Sequence, residues 1–464
     1  MADPLIEKVF EHSPAYPWDP RVGLYVHTTP RYPEVYTYTG WQDENMAWKD
    51  ACAIFAGLSV NPVARLTGPD VIRLLSDATT NSFAHFPTGR IKHTIMCDDE
   101  GRILTHGLAV RIAEEEVQAY TLTPWLNYAA TKGQYDVTFE DRQYAEFNFQ
   151  CTGPRTLEVL EAATGECLHD IEFMAWRASS VHGKPVRIYR MGMSGNLAYE
   201  VHGAIEDARE LYAAVVEAGQ PFGLKRIGWL SYASQHPDGG YPQEAYTFYT
   251  ACMQDQGFVA FLQAIGVNPD IWPGHPIMCG SAGPDPTKHF RNPVELGWHH
   301  SITLDHDFRG KAAIEKELAR PTRKTVTLIW NVEDVMDVYA SLFRKDVEPY
   351  RYMDFPIEPF FVTMQAGGRH YMDEVLKGGR VVGYSSGRDY SLRSRDMFSI
   401  GTLDVEHAGL GTQLTVLWGE PGTRQMEIRV VVSRFPHIDL PLNSEVDVST
   451  IPCIRGKTLV GAGA

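Results

Sequence analysis

Apolar and polar positions alternate in several short blocks along the chain, and in a few places the apolar residues shift to helical spacing. HTIMCDDEGRILTHGLAVRI holds two alternating runs around Asp99-Glu100-Gly101, the pattern of an antiparallel hairpin. EEEVQAYTLTP reads as a further strand. RLTGPDVIRLLSDAT predicts a strand, a turn at Gly68-Pro69-Asp70 and a short helix opening near Asp70. FNFQCTGPRTLEVLEAAT repeats that plan. Both stretches have a Thr-Gly-Pro turn before apolar residues at helical spacing, so the pattern predicts an internal duplication, two similar α+β units packed together. The spacing in MAWKDACAIFA predicts a helix over 46–56.

Three other regions complete the outline. Residues 1–45, rich in Pro, Tyr and Trp, read as an extended arm over the first unit. Residues 232–293 read as a long irregular stretch that wraps a site; their aromatics argue against disorder. From 321 to 464 the pattern becomes strands with Gly turns, as in KTVTLIW, RVVGYSSG, GTQLTVLWG and QMEIRVVVS. This predicts a C-terminal antiparallel β-barrel domain after paired units spanning 46–320, an α+β architecture.

Composition narrows the function classes. The 464 residues are 44% hydrophobic, enough for a sizeable core, and hold no run of 18 apolar residues. The opening MADPLIEKVFEHSPAYPWDP lacks the basic start and apolar middle of a signal peptide, so a cytoplasmic location and no membrane are expected. A net charge of −16 disfavours nucleic-acid binding. The seven cysteines are scattered without a CxxC pair and read as free thiols. The 22 Tyr and 10 Trp suit a pocket for flat rings, since each offers a π-face and a polar atom. The composition is compatible with a homo-oligomer.

Most chemical motifs are absent. No Walker A loop, HExxH or GxSxG elbow occurs, and GLGTQL from Gly409 lacks the third Gly of a dinucleotide fingerprint. His299, His300 and His306 cluster in WHHSITLDHD, but strand alternation would part the adjacent pair, so no metal is expected.

Three phrases together carry a resemblance. NPVELGWHHSITLDHDFRGKAAIEKE holds Asp307-Phe308-Arg309-Gly310-Lys311-Ala312-Ala313-Ile314, like a "DFIGKEAL" phrase. GGRVVGYSSGRDYSLRSRDMFSIGTLDVEHAGLGTQLTV and RMGMSGNLAYEVHG follow "G-x-V-T-S-G" and "T-G-Y-T-G-E-D-G-Y-E" patterns. In order and spacing the chain resembles the aminomethyltransferase (T-protein) family of the glycine cleavage system. Within it, KTVTLIWNVEDVMDVYASLFR and YTGWQDENMAWKDACAIF are similar to the tetrahydrofolate-dependent aryl O-demethylases. The same holds for a run matched at Tyr232, Gln235, Asp238, Gly240, Tyr241 and Pro242.

The resemblance implies a T-protein-like folate-binding fold of duplicated units around a central cavity, tetrahydrofolate as cofactor and a small aromatic substrate. Glu200 occupies the position of the family's folate carboxylate. Tyr232 is a candidate acid for a departing phenoxide, and His106 an alternative proton carrier. Tyr241 could wall the pterin or the substrate, and Arg226 could meet a carboxylate of either. Two departures shape the chemistry. After Gly101-Arg102-Ile103-Leu104 comes Thr105-His106, with none of the carboxylate that aminomethyltransferases use, which points away from amine release and toward ether cleavage. In place of a "D-Q-S-H-H" phrase the chain has Ala56-Gly57-Leu58-Ser59-Val60, so Gly57 and Val60 predict a roomier, less polar substrate pocket. The expected reaction is O-demethylation of a methoxylated aromatic onto tetrahydrofolate. The alternatives are methylene transfer from a methylenedioxyphenyl, sesamin-like compound, and a folate-binding protein without catalysis.

Overall fold

A computed structural model describes residues 13–26, 32–270, 276–358 and 368–454. Its two Thr-Gly-Pro turns sit at equivalent places in two antiparallel sheets. In the first, the strand Val63–Thr67 leads through Gly68 into the helix Val71–Ala78, and the meander Ile91–Cys97, Ile103–Ala113, Glu116–Tyr120 returns to pair with it. In the second, Glu146–Thr152 leads through Gly153 into Thr156–Thr164, and Trp176–Val181, Lys184–Tyr189, Ala198–Ala204 return in the same order. A further antiparallel strand flanks each first strand, Thr138–Asp141 in one sheet and Cys52–Phe55 in the other. The parallel strand Leu224–Arg226 extends the second sheet. The duplication read from the sequence is therefore a duplication of topology.

The turn glycines show why the motif recurs. Gly68 has φ +137° and Gly153 φ +121°. A Cβ on Gly68 would fall 2.1 Å from the Asp136 carbonyl oxygen, and one on Gly153 2.5 Å from that of Ala51. Each glycine thus lets its turn press against the backbone just before the flanking strand. Gly153→Ala is expected to lower stability by about 1–3 kcal/mol from backbone strain alone, read as a lower urea midpoint at unchanged slope.

The outer face of each sheet is covered by its helices. Phe147, Phe149, Cys151, Leu157, Leu160, Tyr199 and Val201 form one core; Leu66, Leu75, Ala109, Val117 and Leu126 form the other. A third core fills a closed six-stranded barrel running Arg323–Trp330, Asp396–Asp404, Arg380–Ser391, Asp373–Lys377, Gln413–Trp418, Met426–Ser433. After the barrel the chain returns to the second sheet, where Val448, Ile451 and Ile454 join its core.

Two local expectations are corrected. The helix read over 46–56 spans Trp41–Asp50, and Cys52–Phe55 is a strand buried along its whole length. A fully buried strand has no alternation, so its apolar run could extend a helical pattern. The stretch from 232 begins inside a helix, Trp229–Gly239, and holds a second, Gln256–Ala264. Every residue of the first is buried, which erases the amphipathic period, and Pro237 reads as a breaker. Its burial follows from ties on several sides. Asp238 forms a short buried ion pair with Lys49, and Ser234 donates to Asp389 at 3.2 Å. Burial, with the Asp238 charge beside it, pushes the Asp389 carboxyl well above the usual carboxylate range.

Candidate active site

The second sheet presents one continuous row on the face opposite its helices. Pairing aligns Tyr189 with Glu200, Glu200 with Gln150, and Gln150 with Phe55. Directly paired residues share a face, so the four side chains line up across four strands. The adjoining row places His202 beside Asn148. The sequence FNFQCT encodes this split, with Phe147, Phe149 and Cys151 facing the helices and Asn148 and Gln150 facing inward.

The buried helix lies over that row. Phe55 stacks on Tyr232 with centroids 4.0 Å apart, and Gln150 Nε2 donates to Gln235 Oε1 at 2.7 Å. The spacing of Tyr232 and Gln235 puts them on one helix face. Glu200 Oε2 accepts from Asn148 Nδ2 at 3.0 Å and lies 2.9 Å from His202 Nε2. A carboxylate only accepts, so that nitrogen carries a proton toward Glu200, and His202 Nδ1 lies 3.1 Å from the Tyr120 hydroxyl. Tyr120 belongs to the first sheet, so this contact joins the inner faces of the two units. Burial, then the nearby Glu200 charge and Tyr241, push the Tyr232 phenol well above its ordinary range. Tyr232 is thus a neutral hydrogen-bond donor.

A second cluster faces inward from the first sheet. His93 Nε2 lies 3.3 Å from His106 Nδ1, and the Tyr241 hydroxyl lies 3.5 Å and 3.4 Å from the same two atoms. Trp298 closes the group, its ring 4.7 Å from His93 and 4.8 Å from His106. His236 bridges the clusters, its ring 4.8 Å from Tyr232 and 6.2 Å from Tyr241. Burial lowers His106 to about 4. Burial, then His106 and His300, lowers His93 well below its ordinary value. Both imidazoles are neutral near pH 7.

Comparison with known proteins places the chain. The family description "GCVT N-terminal domain" matches residues 23–244. A sesamin methylene transferase of Sinomonas sp. (strain No.22) is 42% identical over 431 residues, 92% of this chain and 95% of that protein. The chain belongs to the GCVT-domain family. A syringate O-demethylase of Sphingobium sp. (strain NBRC 103272 / SYK-6) is 28% identical, covering 86% of this chain and 89% of that one. A crystal structure of the glycine cleavage system aminomethyltransferase T from Bartonella henselae shares the fold. Its TM-score is 0.60 at 15% identity, covering 91% of this chain and 96% of that chain. This GCVT-family chain is an enzyme, a one-carbon transferase that uses tetrahydrofolate. Among its described residues no helix is long and apolar enough to cross a membrane.

The structure sorts the residues singled out from the sequence. Glu200 and Tyr232 come together on the inner row. Tyr241 and His106 come together in the adjoining cluster. Gly57 opens the 3-10 turn Gly57–Val60, which Ser59 pins to the Asn148 backbone, its Oγ donating to the carbonyl and accepting from the N–H. A Cβ on Gly57 would fall 2.4 Å from Phe55 and 3.0 Å from Trp229, so two aromatic rings use the space that its small size leaves. Val60 ends the turn; its side chain lies outside the described residues. Arg226 pairs with Ile54, on the helix-covered face. There it meets Asp19 at 2.8 Å and lies 4.3 Å over the Tyr38 ring, apart from the inner row.

Sequence reasoning passed over His93, Trp298, Asn148 and Gln150. The amides carried a readable signal, two polar residues alternating with aromatics inside one buried strand. His93 and Trp298 carried none, because their partners are distant in sequence. The His299–Ser301 segment is a 3-10 turn rather than a strand.

Proposed function

We propose that this enzyme breaks a bond between an aromatic oxygen and a one-carbon unit, which passes to tetrahydrofolate, and that its substrate is a methylenedioxyphenyl compound. The observation that carries the reading is the neutral, buried Tyr232 phenol beside the Glu200 row.

The residues present fit a pterin. Glu200 Oε1 accepts no hydrogen bond among the described residues, while Asn148 Oδ1 and Gln235 Nε2 are buried with no partner. Buried polar atoms left this way are costly. Two acceptors and one amide donor match the donor-rich aminopyrimidine edge and the carbonyl of a pterin ring. Glu200, Asn148 and Gln235 would therefore hold the cofactor. When bound, tetrahydrofolate supplies the amine nitrogens that take the carbon and release protons.

The chain's own residues orient the partners and serve the departing oxygen. Phe55 fixes the Tyr232 ring by stacking, so its one O–H is held rather than free to wander. A phenol leaving group in the same dry surroundings also binds its proton more tightly, so donor and acceptor stay matched. Tyr241, backed by two neutral imidazoles, offers a second polar station. Methyl transfer from a methoxyarene frees one oxygen, whereas methylene transfer frees two, and each needs a proton. Two stations suit the latter, as does the 42% identity to a sesamin methylene transferase against 28% to a syringate O-demethylase. O-demethylation of a methoxylated arene is the second reading, favoured by the O-demethylase-like positions Tyr232 to Pro242.

Incubation with tetrahydrofolate and matched methylenedioxy- and methoxyarenes decides between them. Methylene-tetrahydrofolate with a catechol is expected. Methyl-tetrahydrofolate with a phenol would replace it by the second reading, and turnover of neither class would reject both.

A further inference from the structure

On the helix-covered side of the second sheet, away from the inner row, four potential metal ligands converge. Glu161 lies on the helix Thr156–Thr164, Cys167 and His169 on the loop after it, and Cys453 on the tail that returns from the barrel. One ligand atom of each lies within 4.8 Å of those of the other three. We propose that Glu161, Cys167, His169 and Cys453 form a structural zinc site that clamps the C-terminal tail to the second unit.

Local structure aims the ligands. The helix ends at Gly165 in the left-handed conformation, which turns the chain back along its own last turn. Leu168 then anchors in the core, fully buried between Cys167 and His169. On the tail, Ile451 and Ile454 pack on the same core and flank Cys453. The Glu161 carboxylate already joins the two segments, accepting from Leu168 N at 2.9 Å and Ile454 N at 2.8 Å.

Two features of the cluster point to a cation. The Glu161 side chain has no exposed surface, and its only ion-pair contact among the described residues is His169 Nε2 at 3.2 Å. That nitrogen is itself buried without a hydrogen-bond partner. A buried carboxylate facing an imidazole nitrogen that makes no hydrogen bond is stabilised by a metal that takes a lone pair from each. The second feature is donor chemistry. Two sulfurs, one imidazole and one carboxylate form a four-ligand set suited to tetrahedral Zn²⁺ and poorly suited to Mg²⁺ or Ca²⁺. Bonds of about 2.0–2.3 Å at the tetrahedral angle give ligand-to-ligand edges of roughly 3.2–3.8 Å. The His169–Glu161 edge already has that length. The partly exposed Cys167 and Cys453 need small side-chain rotations to close the rest. Binding would release the two thiol protons to solvent.

The test uses the full chain, stripped with chelator under reducing conditions and reloaded with Zn²⁺ or Co²⁺. Equimolar Zn²⁺ retention, thiolate-to-cobalt charge-transfer absorption and a Zn²⁺-dependent rise in melting temperature are expected. Cys167→Ser and Cys453→Ser should each lose the cobalt band and the rise, melting where the stripped wild type melts. Cys453→Ser lies at the partly exposed tail, so it guards against a folding defect at the loop. A cobalt complex without thiolate bands, or unchanged metal retention in the double variant, would overturn the proposal. So would native protein with Cys167 and Cys453 joined as a disulfide, seen as two fewer reactive thiols on non-reducing labelling.

Discussion

Tyr232→Phe is expected to slow one-carbon transfer by about 10²–10⁴-fold, the usual worth of a positioned proton donor, while tetrahydrofolate affinity stays near the wild-type value. The substitution is mild for packing. Phe keeps the ring that stacks on Phe55 at 4.0 Å and loses only the hydroxyl, whose charged form the Glu200 carboxylate opposes. The loss therefore falls on kcat, through the oxygen that must leave. Tyr241→Phe is the internal comparison. Its hydroxyl lies 3.4–3.5 Å from two neutral imidazoles, a looser arrangement, and a smaller loss is expected. Steady-state rates on methylenedioxy- and methoxyarenes, with folate binding followed by fluorescence, separate the two tyrosines. A Tyr232→Phe enzyme with wild-type turnover would remove Tyr232 from the chemistry. If Tyr241→Phe were the crippled variant, the essential donor would be the station over His93 and His106.

How far the site was legible in the sequence depends on how local its causes are. The duplicated Thr-Gly-Pro turns were readable because each is a short local device, and the structure gives both the same job of backing onto a flanking strand. The barrel strands were readable for a similar reason. Met426–Ser433 alternates buried and exposed residues along its length, and period two survives wherever one face meets solvent. The helix carrying Tyr232 and Gln235 was not readable. It is buried on every side, so the feature that makes it a good platform for chemistry removed its periodic signal. Arg226 shows the opposite failure. It is close in sequence to Tyr232, but the pairing of Arg226 with Ile54 turns its side chain through the sheet to Asp19. Sequence neighbours on a strand and the following helix can serve opposite faces, and only the register decides which.

Glu200→Ala is expected to weaken tetrahydrofolate binding by about 10–10²-fold, as one hydrogen bond to a charged group at roughly 1.5–3 kcal/mol would predict. The carboxylate is held for this role from two sides. Asn148 and His202 both engage Oε2, and His202 is in turn fixed by Tyr120 across the gap between units. Oε1 makes no hydrogen bond among the described residues, and the same inner face holds two buried amide atoms, Asn148 Oδ1 and Gln235 Nε2, with no partner. Preorganisation of this kind gives affinity because little is reordered on binding. Glu200→Ala also strands Asn148 and His202, so a direct loss must be told apart from local collapse. Glu200→Gln does this. It keeps the shape and one acceptor but replaces the charge, and a smaller weakening is expected, in line with one charge-assisted bond reduced to a neutral one. Isothermal titration with tetrahydrofolate measures both variants, and thermal unfolding checks that Glu200→Gln folds like the wild type. Graded loss from Gln to Ala in a folded protein assigns the pterin edge to Glu200. Equal, wild-type affinity in both would move the cofactor away from this row and leave the unpaired Asn148 and Gln235 atoms facing the aromatic substrate instead.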